Sequence, residues 1–432
     1  MTELAPDEAT ALRLDAADPL RGFRDRFHFP TNAAGNPKIY LVGNSLGLAP
    51  KTAGDYVQVE LDRWATLGVD GHFTGDLAWE PYHQLATDPL AALTGGHADE
   101  VLAMSTLTLN LHLLLISFYR PTNERHKILI EEHAFPSDHF LAESQIRQRG
   151  FDPATSLSTV APRPGAETLD PDDILAAITE AGDELALVLL PGVQYFTGQV
   201  LPMAEITAAA HAVGAAAGFD LAHAIGNVEL ALHDWEVDFA AWCGYKYLNG
   251  GPGGTAGVFV HRRHVADQSL PKLLGWWGTN RDTRFEMATR FDAIPTVESW
   301  QVSNAGILSL AALRAALEIF SEVATEAGAD PMPTLRAKSL QQQAYLDSLL
   351  DARLAGRVES ITPRDPAQRG CQQALRVIAP DHAGRAVFEA LETADVMCDW
   401  REPNVIRAAP VPLYNSFQDI YRFVDTLDGI LT

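Results

Sequence analysis

The sequence predicts an α/β protein, with a mostly parallel sheet flanked by helices and a smaller C-terminal α+β domain. Three observations lead there. Between residues 100 and 260, short continuous apolar runs alternate with helix-spaced stretches, the rhythm of repeated βαβ units. Two of those runs, Ala215 to Phe219 and Phe239 to Cys243, deliver polar groups at their carboxyl ends: Asp220 with His223, and Tyr245 with Lys246. In an open parallel sheet such ends border the crevice where ligands bind. From about residue 311 the pattern changes to long helices and scattered strands. The expected division is an N-terminal segment 1–38, a large domain 39–310 and a small domain 311–432.

Composition agrees. A chain of 432 residues exceeds one ordinary domain, and 47% hydrophobic residues suffice for a sizeable core. A net charge of -24 disfavours nucleic acid and anionic membrane surfaces as partners, and obliges any anionic ligand to find local positive groups. Cys243, Cys371 and Cys398 are scattered without metal-ligand spacing, so reduced thiols and no metal site are expected. The opening residues are acidic, with no basic n-region or apolar core, and no run reaches membrane-spanning length. A cytoplasmic protein is the expectation.

The elements follow in order. Ile39 to Val42 reads as a short strand ending in the turn Gly43-Asn44-Ser45-Leu46-Gly47. Helices are expected over Val57 to Thr66 and Asp76 to Leu93, the second stopped by Thr94-Gly95-Gly96, with His72 in the loop between them. Val101 to Ser105 is a strand that opens into a long apolar helix from Thr106. The first N–H groups of a helix lack partners and its dipole is positive there, so Leu107 (through its backbone) and Thr108 form a candidate anion site. An ordinary threonine cap explains the local sequence equally well. Lys127 to Glu131 is a strand leading to Phe135, whose flat face suits stacking, and to the carboxylate of Asp138. Asp172 to Ala181 and Met203 to Ala217 read as helices, with the strand Leu185 to Leu190 between them. After Lys246, the turn Asn249 to Gly254 leads into another strand, Ala256 to Val260, which excludes a dinucleotide-binding loop.

Trp276 lies in an aromatic loop, and exposed tryptophans often anchor interfaces. Ser303 and Asn304 precede a helix from Gly306 to Val323, which leaves capping as one explanation for both. The C-terminal part reads as helices Leu335 to Leu354, His382 to Thr393 and Phe417 to Leu431, with strands Gln373 to Ala379 and Val405 to Ala408. Arg407 is the one cation in that last apolar strand, and a guanidinium grips a carboxylate with two parallel hydrogen bonds. Arg401 is the alternative for the same task.

Lys246, Asp220, Tyr245 and the glycine turn together suggest a pyridoxal phosphate site. A lysine at a strand end can form a Schiff base with an aldehyde cofactor. A buried carboxylate such as Asp220 keeps a pyridine nitrogen protonated and makes the ring an electron sink. A solvated lysine and an Asp-Leu-Ala-His turn remain the plain alternative.

Eight motifs sharpen this reading. They are Gly43-Asn-Ser-Leu-Gly-Leu48, Leu107-Thr-Leu-Asn-Leu-His112, Ala134-Phe-Pro-Ser-Asp-His139, Asp220-Leu-Ala-His223, Tyr245-Lys-Tyr-Leu-Asn249, Gly275-Trp276, Val302-Ser-Asn304 and Ile406-Arg-Ala-Ala-Pro-Val-Pro-Leu-Tyr-Asn415. In this order, over roughly residues 40 to 420, the chain resembles the kynureninases, fold-type I, class V aminotransferase-like pyridoxal phosphate enzymes. The resemblance implies hydrolytic Cβ–Cγ cleavage of L-kynurenine or 3-hydroxy-L-kynurenine to alanine and the matching anthranilate, in tryptophan catabolism or NAD biosynthesis. It implies pyridoxal phosphate held by Leu107, Thr108, Phe135, Asp138, Asp220, His223, Tyr245 and Lys246. Trp276 and Asn304 would reach it from a partner subunit, which makes the enzyme a homodimer. Ser45, His72, Ser303, Asn304 and Arg407 would bind substrate. His72, Ser303 and Asn304 resemble the animal-type pocket, which favours the 3-hydroxylated substrate. Pro191 departs from the family, whose members often carry a small hydroxyl residue there, and puts one cofactor contact in doubt. A class V aminotransferase, a cysteine desulfurase and a non-catalytic scaffold are the competing readings. The desulfurase needs a nucleophilic cysteine on a mobile loop, and a scaffold needs none of Lys246, Asp220 and Arg407.

Overall fold

A computed structural model describes residues 4–267 and 269–432. The first three residues of the expected N-terminal segment lie outside that range. The central sheet has seven strands: β1 (Val101–Ala103), β2 (Lys127–Glu131), β3 (Leu157–Val160), β4 (Leu185–Pro191), β5 (Ala216–Asp220), β6 (Phe239–Trp242) and β7 (Gly257–Val260). Their spatial order is β1-β7-β6-β5-β4-β2-β3. Strand β7 runs antiparallel to both neighbours, and the remaining adjacent pairs are parallel.

The central strands read as unbroken apolar runs because both faces are covered. Side chains alternate between two cores, as the two-residue period of a strand requires. Val188, Leu190, Ala217, Phe219, Ala240 and Trp242 join one core, with helices Pro171–Ala181, Met203–Ala212 and Ile307–Ala327. Leu187, Leu189, Phe239 and Ala241 join the other, with helices Leu107–Phe118 and Pro136–Gln148.

A second sheet, antiparallel, comprises β8 (Val358–Ser360), β9 (Gln373–Val377), β10 (Asp399–Arg401) and β11 (Val405–Ala408), in the order β8-β9-β11-β10. Helices Pro331–Arg353, Gly384–Thr393 and Phe417–Ile430 share its core. The N-terminal part of the chain joins this layer. Ala11 of helix Glu8–Ala17 packs in the same core, and Asp15 accepts the N–H groups of Phe417 and Gln418 at 2.7 and 3.0 Å. Ile39–Tyr40 pairs in parallel with Val396–Met397. From there the chain runs directly to Ser45, at the seam between the two sheets.

Three elements differ from the sequence reading. The helix expected over Asp76 to Leu93 is a short 3-10 turn, Tyr82–Ala86, followed by an α-helix only over Thr87–Thr94. The N–H groups of Trp79 and Glu80 bond back to the carbonyls of Gly71 and His72, and Pro81 has none to give. The helix expected to reach Ala217 stops at Ala212, because Gly214 takes a positive φ of 77° and releases the chain into β5. Strand β1 ends at Ala103, and Ser105 turns with φ 48° to deliver the next helix.

Candidate active site

The carboxyl ends of β2, β4, β5 and β6 converge on one cavity of about 340 Å³. Its lining includes Ser45, Leu107, Thr108, Phe135, Asp138, Asp220, His223, Tyr245 and Lys246. Nine of the residues expected at a site therefore meet in one place, drawn from segments two hundred residues apart.

Asp220 is the last residue of β5, buried, and its Oδ1 accepts the N–H of Ala222 at 2.7 Å. Burial raises its pKa, opposed by that N–H and by the charge of Lys246. Asp138, at the start of helix Pro136–Gln148, is pushed much further up: burial acts first, and the negative charge of Asp220 adds to it. The proton of the pair therefore rests on Asp138 and the charge on Asp220. Lys246 follows β6 by a short turn, half-buried, and its Nζ donates to Nε2 of His223 at 2.8 Å.

Thr106 caps helix Leu107–Phe118 by backbone conformation alone, with no side-chain bond to the first turn. Its leading N–H groups, with Leu107 and Thr108 on the cavity wall, remain available to an anion. Phe135 projects into the cavity, 45% exposed, and meets Tyr195 edge-on at 5.3 Å. An aromatic lid, a buried carboxylate, a lysine amine, an uncapped helix start and the buried, partnerless Nδ1 of His223 fit an aromatic aldehyde bearing a phosphate. Pro191 borders the same cavity and offers no hydroxyl. Burial raises the phenol of Tyr245 to about 12, with the neighbouring Cys243 adding to it.

Arg407 does not stand on the cavity wall; Arg401 does. The Arg407 side chain is fully buried behind Ser45, with Nη2 3.2 Å from Ser45 Oγ. It pairs with Asp399 and donates to the Tyr195 carbonyl, while its Nε has no partner. Arg401 shares the same carboxylate at 3.0 Å. Asp399, Glu131 and Asn44 also belong to the site's surroundings, and the sequence reading assigned them nothing. Glu131 had a visible signal: it is a carboxylate closing an apolar parallel strand.

His72, Trp276, Ser303 and Asn304 line a separate hollow of about 370 Å³, and none of the four lines the main cavity. His72 Nδ1 lies 3.1 Å from the Val69 carbonyl, and its ring meets Trp79 edge-on at 5.2 Å. Trp276 Nε1 donates to the Arg284 carbonyl at 3.1 Å. Helix capping does not explain Ser303 and Asn304, because Gly306 is the cap of helix Ile307–Ala327. Cys243, Cys371 and Cys398 are all buried and lie off the main cavity wall. Burial pushes the Cys371 thiol up to about 12.

Comparison with known proteins agrees with this geometry. The class-V aminotransferase family profile matches residues 40–362, and the kynureninase C-terminal domain profile matches residues 335–427. The chain is 51% identical over 417 residues to a kynureninase of Koribacter versatilis, covering 96% of each chain. It is 51% identical over 422 residues to that of Myxococcus xanthus, covering 98% of this chain and 97% of the relative. Against the kynureninase of Xanthomonas campestris pv. campestris the identity is 53% over 418 residues, covering 97% and 96%. Among solved structures, a cysteine desulfurase from Thermococcus onnurineus superposes with a TM-score of 0.72 at 16% identity, covering 91% of this chain and 94% of that one. The cystine C–S lyase C-DES superposes with a TM-score of 0.73 at 18% identity, covering 90% and 97%. These two share the fold. The identity along nearly the full length decides the rest: the chain belongs to the kynureninase family.

Proposed function

We propose that this enzyme is a cytoplasmic, homodimeric kynureninase that cleaves the Cβ–Cγ bond of L-kynurenine, or of its 3-hydroxy form, with water. The products are L-alanine and anthranilate or 3-hydroxyanthranilate, within tryptophan catabolism or NAD biosynthesis. The observation that carries the reading is the placement of the Lys246 amine, the Asp220 carboxylate and an uncapped helix start around one cavity, in a chain of this family.

Pyridoxal 5′-phosphate is the cofactor, and when bound it supplies an electron sink for bonds breaking at the substrate. The residues that would hold it are Leu107 and Thr108 at the phosphate, Phe135 over the ring, Asp138 near its edge and Asp220 at its nitrogen. His223 and Tyr245 would complete the set, and Lys246 would anchor the aldehyde carbon. Lys246 then moves the proton at the substrate Cα. Tyr245, its phenol held protonated at physiological pH, is the candidate acid for the γ-carbonyl as water adds there, with phosphate binding as its competing role. Ser45 and Arg407 orient the substrate carboxylate, with Arg401 as the alternative. Trp276 and Asn304 act on the cofactor of the partner subunit, and His72, Ser303 and Asn304 face the partner's substrate. Their own hollow, apart from the main cavity, supports that assignment.

The decisive assay incubates the cofactor-loaded protein with L-kynurenine and quantifies anthranilate and alanine. Equal amounts of both establish β-hydrolysis. Consumption of a keto acid without anthranilate would make the enzyme an aminotransferase instead. The animal-type residues His72, Ser303 and Asn304 favour 3-hydroxykynurenine. A kcat/KM strongly favouring unsubstituted kynurenine overturns that preference.

A further inference from the structure

Glu131 closes β2, two strands across the sheet from Asp220 in β5. It is 2% exposed and lines the main cavity with Asp138 and Asp220. Its two oxygens have different surroundings. Oε1 accepts from Gln194 Nε2 at 2.6 Å, while Oε2 is buried with no partner among the described residues.

Gln194 cannot turn to change this. Its own oxygen accepts the N–H groups of Phe196 at 2.6 Å and Thr197 at 2.8 Å, and its nitrogen also reaches the His133 carbonyl at 3.2 Å. The amide is locked as a neutral donor. No basic side chain forms an ion pair with Glu131 among the described residues. The ionisable groups around it are Asp138, Asp220, His223, Tyr245, Lys246 and Arg401 on the cavity wall, with His133 and Glu167 in a small hollow on its other side. A buried carboxylate with one neutral donor and no ion pair holds its proton to a higher pH than an exposed one does. Burial raises its pKa to about 7 despite the bond from Gln194.

We propose that Glu131 is a positioning residue of the cofactor site, standing in its protonated form as a neutral acid on the cavity wall with one oxygen free to donate a hydrogen bond. While it carries its proton, Asp220 is the one carboxyl of the three that bears charge, the form needed opposite a protonated ring nitrogen. Ionisation of Glu131 places a second negative charge in the cavity and acts on Asp220 through Asp138, whose pKa already responds to both. This inference rests on reading the cavity as a pyridoxal phosphate site.

The test compares wild type with Glu131→Gln, which keeps shape and a donor, and Glu131→Leu, which removes both. Infrared spectra of the apoprotein, taken below and above neutral pH, read the carbonyl stretch of protonated carboxyl groups. Titrations of added pyridoxal phosphate read its affinity and the pH dependence of its visible band, and thermal melts check folding. Wild type is expected to show an infrared band that fades as pH rises through about 7 and is missing from E131Q. E131Q is expected to hold the cofactor within about threefold of wild type, with its band no longer shifting with that ionisation, and E131L to lose about tenfold. The proposal is overturned if E131Q keeps the infrared band, or if it melts normally yet loses cofactor as severely as E131L. Failure of wild type to bind pyridoxal phosphate would overturn the reading of the cavity instead, and the apoprotein band would still test Glu131.

Discussion

The amine of Lys246 lies 2.8 Å from Nε2 of His223, and this contact determines the form of the imidazole. The amine donates, so Nε2 must accept and the ring proton sits on Nδ1, which is buried without a partner among the described residues. Burial pushes the His223 pKa well below the usual histidine range, and the positive charges of Lys246, Arg407 and Arg401 push the same way. His223 is therefore neutral throughout physiological pH. The imidazole adds no charge of its own beside the cofactor.

Lys246→Ala removes the amine assigned to both anchoring and proton transfer. Turnover is expected to fall at least about 10³-fold, with loss of the covalently held chromophore. The melting temperature should move little, since the side chain is only half-buried. Activity within tenfold of wild type would remove Lys246 from its assigned role.

Arg407→Ala and Arg401→Ala should part company. Removing the fully buried Arg407 takes from Asp399 its buried partner, at a cost of about 3–5 kcal/mol in urea unfolding. Arg401 is partly exposed, and its loss should cost under about 1 kcal/mol of stability. If Arg407 orients the substrate carboxylate, Arg407→Lys, which keeps the charge without the fork, should raise KM more than Arg401→Ala does. The reverse order of KM effects assigns the carboxylate to Arg401.

Gly47 supports Lys246 from behind. Its N–H donates to the Tyr245 carbonyl at 2.8 Å, and a Cβ at this position would overlap the Lys246 carbonyl oxygen and Asn249 Oδ1. Gly47→Ala should destabilise by about 1–3 kcal/mol and weaken cofactor binding by shifting the backbone of Lys246. An unchanged cofactor affinity would show that the backbone yields without moving the amine.

Asp238 ties the starts of β5 and β6 to the turn after β7. It accepts the Ala217 N–H at 2.7 Å, contacts His211 at 2.9 Å and His264 at 2.6 Å, and pairs with Arg263. Burial opposes its ionisation, but these donors together pull its pKa far below the usual carboxylate range. A depressed folded-state pKa stabilises the fold above the unfolded-state value and is lost as pH falls through the folded one. Asp238→Asn should therefore cost about 3–5 kcal/mol at neutral pH, with the difference from wild type shrinking below about pH 4. Denaturant midpoints at the two pH values read this directly.

The proposed sharing of active sites between subunits predicts complementation. Lys246→Ala and Trp276→Ala proteins should each be weakly active. Mixed dimers would pair an intact Lys246 from one subunit with an intact Trp276 from the other. Activity regained after co-refolding supports Trp276 acting across the interface, and none regained removes that role.

Much of the site was legible in the sequence because its chemistry depends on residue type at strand ends and helix starts. Asp220, Lys246, Leu107 and Thr108 each follow an apolar run or open a helix, and parallel topology sends all such ends to one crevice. Glu131 occupied the same kind of position and went unassigned. Its significance lies in an unpartnered oxygen, which appears only when every neighbour is placed. The overlong helices at Asp76 and Met203 failed for a local reason: backbone pairing to Gly71 and His72, and a left-handed glycine, overrode helical spacing.

By itself the sequence determined the βαβ order, the buried central strands and most of the polar residues that the fold gathers at the cavity, because periodicity and residue chemistry are local properties. Tertiary structure alone decided that burial and the charge of Asp220 push Asp138 well above the usual carboxylate range, that Arg407 sits behind Ser45 while Arg401 meets the cavity, and that His72, Trp276, Ser303 and Asn304 gather in their own hollow. Proton position and charge pairing depend on burial and on neighbours from distant segments. Those quantities exist only once the chain has folded.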